Sequence, residues 1–119
     1  MLLALIAAVI LAAQTPTTGS YGPITVTNCS LHNANGIVGA NSLDLKYFNN
    51  TGDRTIVLVN FHVRYHGVVE NFTDTGSFAP GAHVHHTFNN FYGVQWAGAY
   101  PSVCSVRSVT FKNGQTLQI

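Results

Sequence analysis

Thr55 to His66 reads TIVLVNFHVRYH. Val57, Val59, Phe61, Val63 and Tyr65 fall on one face at period two, and Ile56, Leu58, Asn60, His62, Arg64 and His66 fall on the other. A period of two belongs to a β-strand, whose successive side chains point to opposite sides. The second face starts apolar and ends polar, so the strand is expected to run from a buried centre to a wet rim.

The same pattern continues on both sides. Toward the C-terminus, Gly67 turns the chain into Val68 to Thr73, and Asp74 to Gly81 (DTGSFAPG) has the composition of a tight loop. Ala82 to Phe88 is a further strand. Val84, His86 and Phe88 share one face of it, with His86 expected as a packed, hydrogen-bonded core residue; His83, His85 and Thr87 share the other. Asn89 to Ser102 is rich in glycine and aromatics and reads as a long irregular connection. Val103 to Phe111 and Gln115 to Ile119 form a hairpin around Lys112-Asn113-Gly114, because Asn-Gly suits a tight turn between strands.

Toward the N-terminus, Asn49 to Asp53 (NNTGD) is a turn. Ser42 to Phe48 alternates, with Leu43, Leu45 and Tyr47 on one face. Leu31 to Asn41 is a loop holding Gly36 and Gly39, and Ile24 to Cys29 is a strand. Gln14 to Pro23, with two prolines and two glycines, reads as a flexible lead-in. About seven strands with turns at short intervals and no helix predict an all-β fold. The expected form is a single antiparallel β-sandwich over residues 24–119, Ig-like in the broad sense. A partly open barrel is the second choice. Antibody-type detail is not expected, because Trp96 does not sit on a strand-like run between the cysteines.

Met1 to Ala13 (MLLALIAAVILAA) is an unbroken apolar run. As a helix it would be about 20 Å long, too short for a hydrocarbon core of about 30 Å. It fits the apolar region of a signal peptide, although no Lys or Arg precedes it. The expected location is secreted or periplasmic, with no membrane span in the mature chain. Cys29 and Cys104 are the two cysteines, and in an exported domain they pair most simply as one disulfide.

The stretch from Ser42 to Ile119 carries the strand VLVNFHV at 57–63, the loop DTGSFAPG at 74–81, a histidine-bearing strand, and CSVRSVTF at 104–111 before an Asn-Gly turn. In these features it resembles small secreted bacterial β-sandwich proteins of unknown function. The resemblance implies a fold and implies no activity, so no functional residue is carried over from it.

Charged residues make up 8% of the chain and the net charge is +1, against about 25% charged residues in an average soluble protein. No basic patch is visible, which argues against nucleic acid as a partner. Four acidic residues leave little material for general acid–base chemistry, and no Gly-x-Ser-x-Gly motif is present.

Three constellations remain. His62 with His66, and His83 with His85, each share a strand face. Were the two strands adjacent, the four imidazoles could form a Zn²⁺ or Cu²⁺ site; as polar surface they need no cofactor. Asp74-Thr75-Gly76-Ser77 matches the active-site loop of pepsin-like and retroviral aspartic proteases. A single copy would require a homodimer, the strand before it (Val68-Val69-Glu70-Asn71-Phe72-Thr73) is not strongly apolar as that family needs, and turn chemistry explains the four residues better. Phe91, Tyr92, Trp96 and Tyr100 cluster between Phe88 and Ser102, and exposed aromatics there could meet a protein or glycan partner. Asn28, Asn49 and Asn71 each begin an Asn-x-Ser/Thr sequon. The leading expectation is an exported, non-enzymatic β-sandwich with a binding or surface-structural role. Its sparsely charged strand edges are open to self-association. Metal binding through the histidines is the alternative, and a dimeric aspartic protease is a distant third.

Overall fold

The computed structural model describes residues 18–33, 41–65, 68–89, 98–101 and 103–119. The apolar segment 1–13, expected to be a signal peptide, lies outside them. Nine strands are present among the described residues: β1 (Gly19–Tyr21), β2 (Ile24–Asn33), β3 (Asn41–Asn49), β4 (Ile56–Tyr65), β5 (Val68–Phe78), β6 (His83–Asn89), β7 (Gly98–Pro101), β8 (Val103–Phe111) and β9 (Thr116–Gln118). They form two antiparallel sheets. The first has the order β1-β2-β3-β6, with β7 also pairing with β2; the second has the order β5-β4-β8-β9. Among the described residues no helix is long and apolar enough to cross a membrane.

The predicted alternation sets the inner faces. Leu43, Leu45 and Tyr47 of β3 are buried against Val59, Phe61 and Val63 of β4, and the Tyr47 and Phe61 rings lie 5.0 Å apart. Two closed layers thus replace the partly open barrel. Cys29 on β2 and Cys104 on β8 are both fully buried and form the expected disulfide, with their Cα atoms 6.0 Å apart. The bond ties one sheet to the other at the centre of the core.

Four expectations are corrected. Ile56, not Val57, lies in the core, because between Ile56 and Leu58 β4 has one residue more than β8 opposite it, while β5 in turn has one residue more than β4. A bulge adds one residue and reverses the facing of everything before it. Asp74 to Phe78 is strand rather than loop. β5 continues to Phe78, opposite Ile56, and the turn is confined to Ala79–Ala82, where Gly81 takes a positive φ of 79°. The lead-in contains a strand: β1 pairs with β2, and Gly22 makes the turn at φ 56°. Finally, β2 runs on to Asn33, and β7 pairs with its far half, taking up part of the predicted irregular connection.

Register places the chain ends of the strands. The turns after Tyr21, Asn49, Phe78 and Phe111 share one end of the sandwich. The far ends of β2, β3 and β4 lie at the opposite end.

Candidate functional site

Cross-strand partners share a sheet face. Asp74 stands opposite Val59, and Phe72 opposite Phe61, so β5 turns Asp74 into the core. In the first sheet His86 stands opposite Leu45, and Val84 opposite Tyr47, so Tyr47 and His86 also face inward. The three meet between the sheets. The Tyr47 hydroxyl donates to Asp74 Oδ2 at 2.5 Å, and His86 Nδ1 lies 2.9 Å from Asp74 Oδ1.

Asp74 is 5% exposed, and a carboxylate so deeply placed needs hydrogen-bond partners on its oxygens. It has one on each. Burial foremost, then the bond to Asp74 and its charge, raises the Tyr47 phenol far above its ordinary pKa of about 10. Tyr47 is therefore a fixed donor. His86 is half-exposed, and its ring stacks on Phe88 at 4.0 Å and 11°. Phe88 in turn packs on Phe72 at 4.9 Å. The assembly is a clasp between the two edge strands β5 and β6 on one flank of the sandwich.

This geometry holds an imidazole in a fixed orientation, with the carboxylate selecting the tautomer that donates from Nδ1. Among the described residues no hydroxyl or thiol is hydrogen-bonded to His86, so the parts of an activated nucleophile are not brought together. The aspartic-protease expectation loses its footing here. A dyad would need Asp74 at a surface facing a second Asp74, whereas both of its oxygens are occupied inside the core.

A second carboxylate organises the outer face of the first sheet. Asp44 on β3 accepts from Thr87 Oγ1 at 3.3 Å and from Asn28 Nδ2 at 3.2 Å, and it is paired with His85 Nε2. His83, on the same face, packs against Phe48 with centroids 4.9 Å apart. His62 stands on the outer face of the second sheet, its Nδ1 3.1 Å from Asn71 Oδ1. Stacked sheets lie about 10 Å apart, so both layers separate His62 from His83 and His85. The strand adjacency needed by the metal expectation is absent, since β4 and β6 belong to different sheets. His66 lies outside the described residues. Among those described, no group of three or more His, Cys, Asp and Glu is placed to hold a metal ion.

Of the aromatic candidates, Phe91, Tyr92 and Trp96 lie outside the described residues, and Tyr100 falls on β7 opposite Leu31. The Asn49 sequon is spent internally. Asn49 is fully buried and donates from Nδ2 to the carbonyls of Arg54 at 2.7 Å and Phe78 at 3.0 Å.

The Tyr47–Asp74–His86 clasp was not visible in the sequence. The usable signal was the spacing Phe72-x-Asp74, which continues the alternation of the preceding strand into a segment whose letters favour a turn. No family model, curated protein or solved structure matches the chain.

Proposed function

We propose that the chain is an exported, non-enzymatic β-sandwich that acts as a surface-structural module by pairing edge strand to edge strand with a second copy of itself. The observation that carries this reading is β5. It is eleven residues long, it ends its sheet, and it pairs with β4 alone among the described strands. Its outward side chains from Asn71 onward are Asn71, Thr73, Thr75 and Ser77, all exposed, short and uncharged. Natural edge strands are usually blunted by Lys, Pro or a bulge; Asn71 to Thr75 of β5 has no Lys or Pro and pairs with β4 in unbroken register, the one register shift lying beyond it toward Phe78. Two β5 strands in antiparallel register would set hydroxyls and amides against one another, with no like charges opposed on that face.

Export is supported by the apolar N-terminal run and by the buried disulfide, which fits an oxidising compartment. The Ig-like character is supported by strand order. If β2, β3 and β6 are lettered A, B and E, and β4, β5, β8 and β9 are lettered C, C′, F and G, the sheets read ABE and C′CFG. This agrees with the broader group of sandwiches related to immunoglobulin domains. The non-enzymatic reading is supported by the use of Asp44 and Asp74 in internal hydrogen bonds.

Sedimentation velocity across a concentration series tests the proposal. The wild-type chain should dimerise reversibly, and Thr75→Lys should be monomeric with an unchanged melting temperature. A wild-type chain that stays monomeric to millimolar concentration would overturn it, as would a Thr75→Lys variant that still dimerises.

A further inference from the structure

The end of the sandwich that carries the Asn49–Thr55 connection and the Lys112–Gln115 turn holds an open pocket of about 350 Å³. It is lined by Asp53, Arg54, Thr55, Phe111, Lys112 and Asn113. The whole chain has only five Lys and Arg and four Asp and Glu. Three of those charges stand around this one cavity, whose lining carries a net charge of +1.

Arg54 is held in place from both ends. Its carbonyl accepts from Asn49 Nδ2 at 2.7 Å and from Thr51 Oγ1 at 2.9 Å. Its guanidinium lies 3.5 Å over the Phe111 ring centroid, and Nη2 donates to Gln115 Oε1 at 2.6 Å. The facing wall is tied to the same connection by Lys112 N donating to the Thr55 carbonyl at 2.9 Å. Among the described residues no carboxylate is within ion-pair contact of Arg54 or Lys112. A guanidinium that is stacked and bonded through one nitrogen, yet has no anion, retains free N–H donors in a fixed plane. Such a group is pre-organised for a planar oxoanion.

We infer that this pocket binds the carboxylate group of a small organic acid. Arg54 would take the carboxylate edge-on and Lys112 would add a second positive charge. The net lining charge matches a monoanion, and Asp53 disfavours a dianion such as phosphate. Thr55 and Asn113 offer polar contacts to the remainder of the molecule, and the volume falls within the roughly 300–1,000 Å³ of small-ligand sites. A sugar acid and the C-terminus of a peptide present the same carboxylate. This site lies at a turn end of the sandwich and does not depend on pairing through β5.

The test is a titration of the ¹⁵N-labelled chain followed by NMR, with glucuronate, acetylglycine, acetylglycinamide and inorganic phosphate as probes. The expected result is saturable shifts for glucuronate or acetylglycine, confined to residues 53–55 and 111–115 and including the Arg54 Nε–H resonance. Glucuronate alone would identify a sugar acid, and acetylglycine alone a peptide terminus. Arg54→Lys should weaken binding about tenfold, because a point charge does not replace the planar fork. Lys112→Gln should weaken it less, and it keeps the test valid should Arg54→Lys fail to fold. Absence of saturation with both carboxylates would overturn the inference. So would equal shifts with the neutral amide, tighter binding of phosphate, or full affinity in both variants.

Discussion

The hydroxyl of Tyr47 and the carboxylate of Asp74 join the two sheets through a 2.5 Å hydrogen bond inside the core. The two residues are 27 positions apart in the chain, on strands of different sheets. The bond satisfies a buried donor and a buried charge together, and the imidazole of His86 completes the second oxygen of Asp74.

Asp74→Asn and Asp74→Ala should therefore differ. An asparagine can accept from Tyr47 through Oδ1 and donate through Nδ2 to His86 in its other tautomer, so the expected loss is about 1 kcal/mol. Alanine removes both acceptors, leaves the Tyr47 hydroxyl buried without a partner and opens a void, for a loss of about 3 kcal/mol. Urea denaturation at neutral pH measures both. Equal losses would mean that Asp74 contributes charge rather than geometry.

Tyr47 gives the fold an alkaline limit. Its pKa is raised in the folded state, so below about pH 10 the phenol is protonated in both folded and unfolded chains. Above that pH the unfolded chain releases a proton that the folded chain retains. The unfolded state then binds fewer protons, and stability falls by up to about 1.4 kcal/mol per pH unit. Tyr47→Phe should be less stable than wild type at pH 7, because Asp74 loses a donor, and should lack this part of the alkaline decline. Urea midpoints compared between pH 9 and pH 11.5 check it; parallel curves for the two proteins would rule out the mechanism.

Much of this fold was legible because alternation survives wherever a strand has one dry face. Spacing alone puts Leu43, Leu45 and Tyr47 on one strand face, and Val59, Phe61 and Val63 on another, and all six are buried. The cysteine pair and the Asn113-Gly114 hairpin were equally plain. The misread parts have physical causes. Asp74, Thr75, Gly76 and Ser77 are all turn formers, yet pairing with β4 and the burial of Asp74 override local preference there. The bulge at Ile56 shifts the facing of one residue with no local marker. The meeting of Tyr47, Asp74 and His86, and the seat of Arg54 on Phe111, depend on the packing of distant segments. Neither has a spacing that a single sequence displays.

Reduction of the disulfide should be slow and costly. Both sulfurs belong to fully buried residues, and the bond closes a separation of 75 residues. Chain-entropy arguments put its contribution at about 4 kcal/mol. The double variant Cys29→Ala, Cys104→Ala should lose stability on that scale, read from urea midpoints. The native bond should react with reductant at the rate at which the sandwich opens. Rapid reduction under native conditions would mean that the sheets separate more readily than their shared core suggests.

The histidines give the last expectation. His85 and Asp44 are paired on the outer face of one sheet, while His62 lies on the outer face of the other. Any Zn²⁺ or Cu²⁺ taken up by His83 and His85 must therefore be held without His62. Isothermal titration at neutral pH should give the same affinity for wild type and His62→Ala, whatever its value, whereas His85→Ala alters only the first sheet. A matching loss of affinity in His62→Ala and His85→Ala would require one ion to be shared across the sandwich. That sharing cannot occur while the two sheets are stacked with the Cys29–Cys104 bond between them.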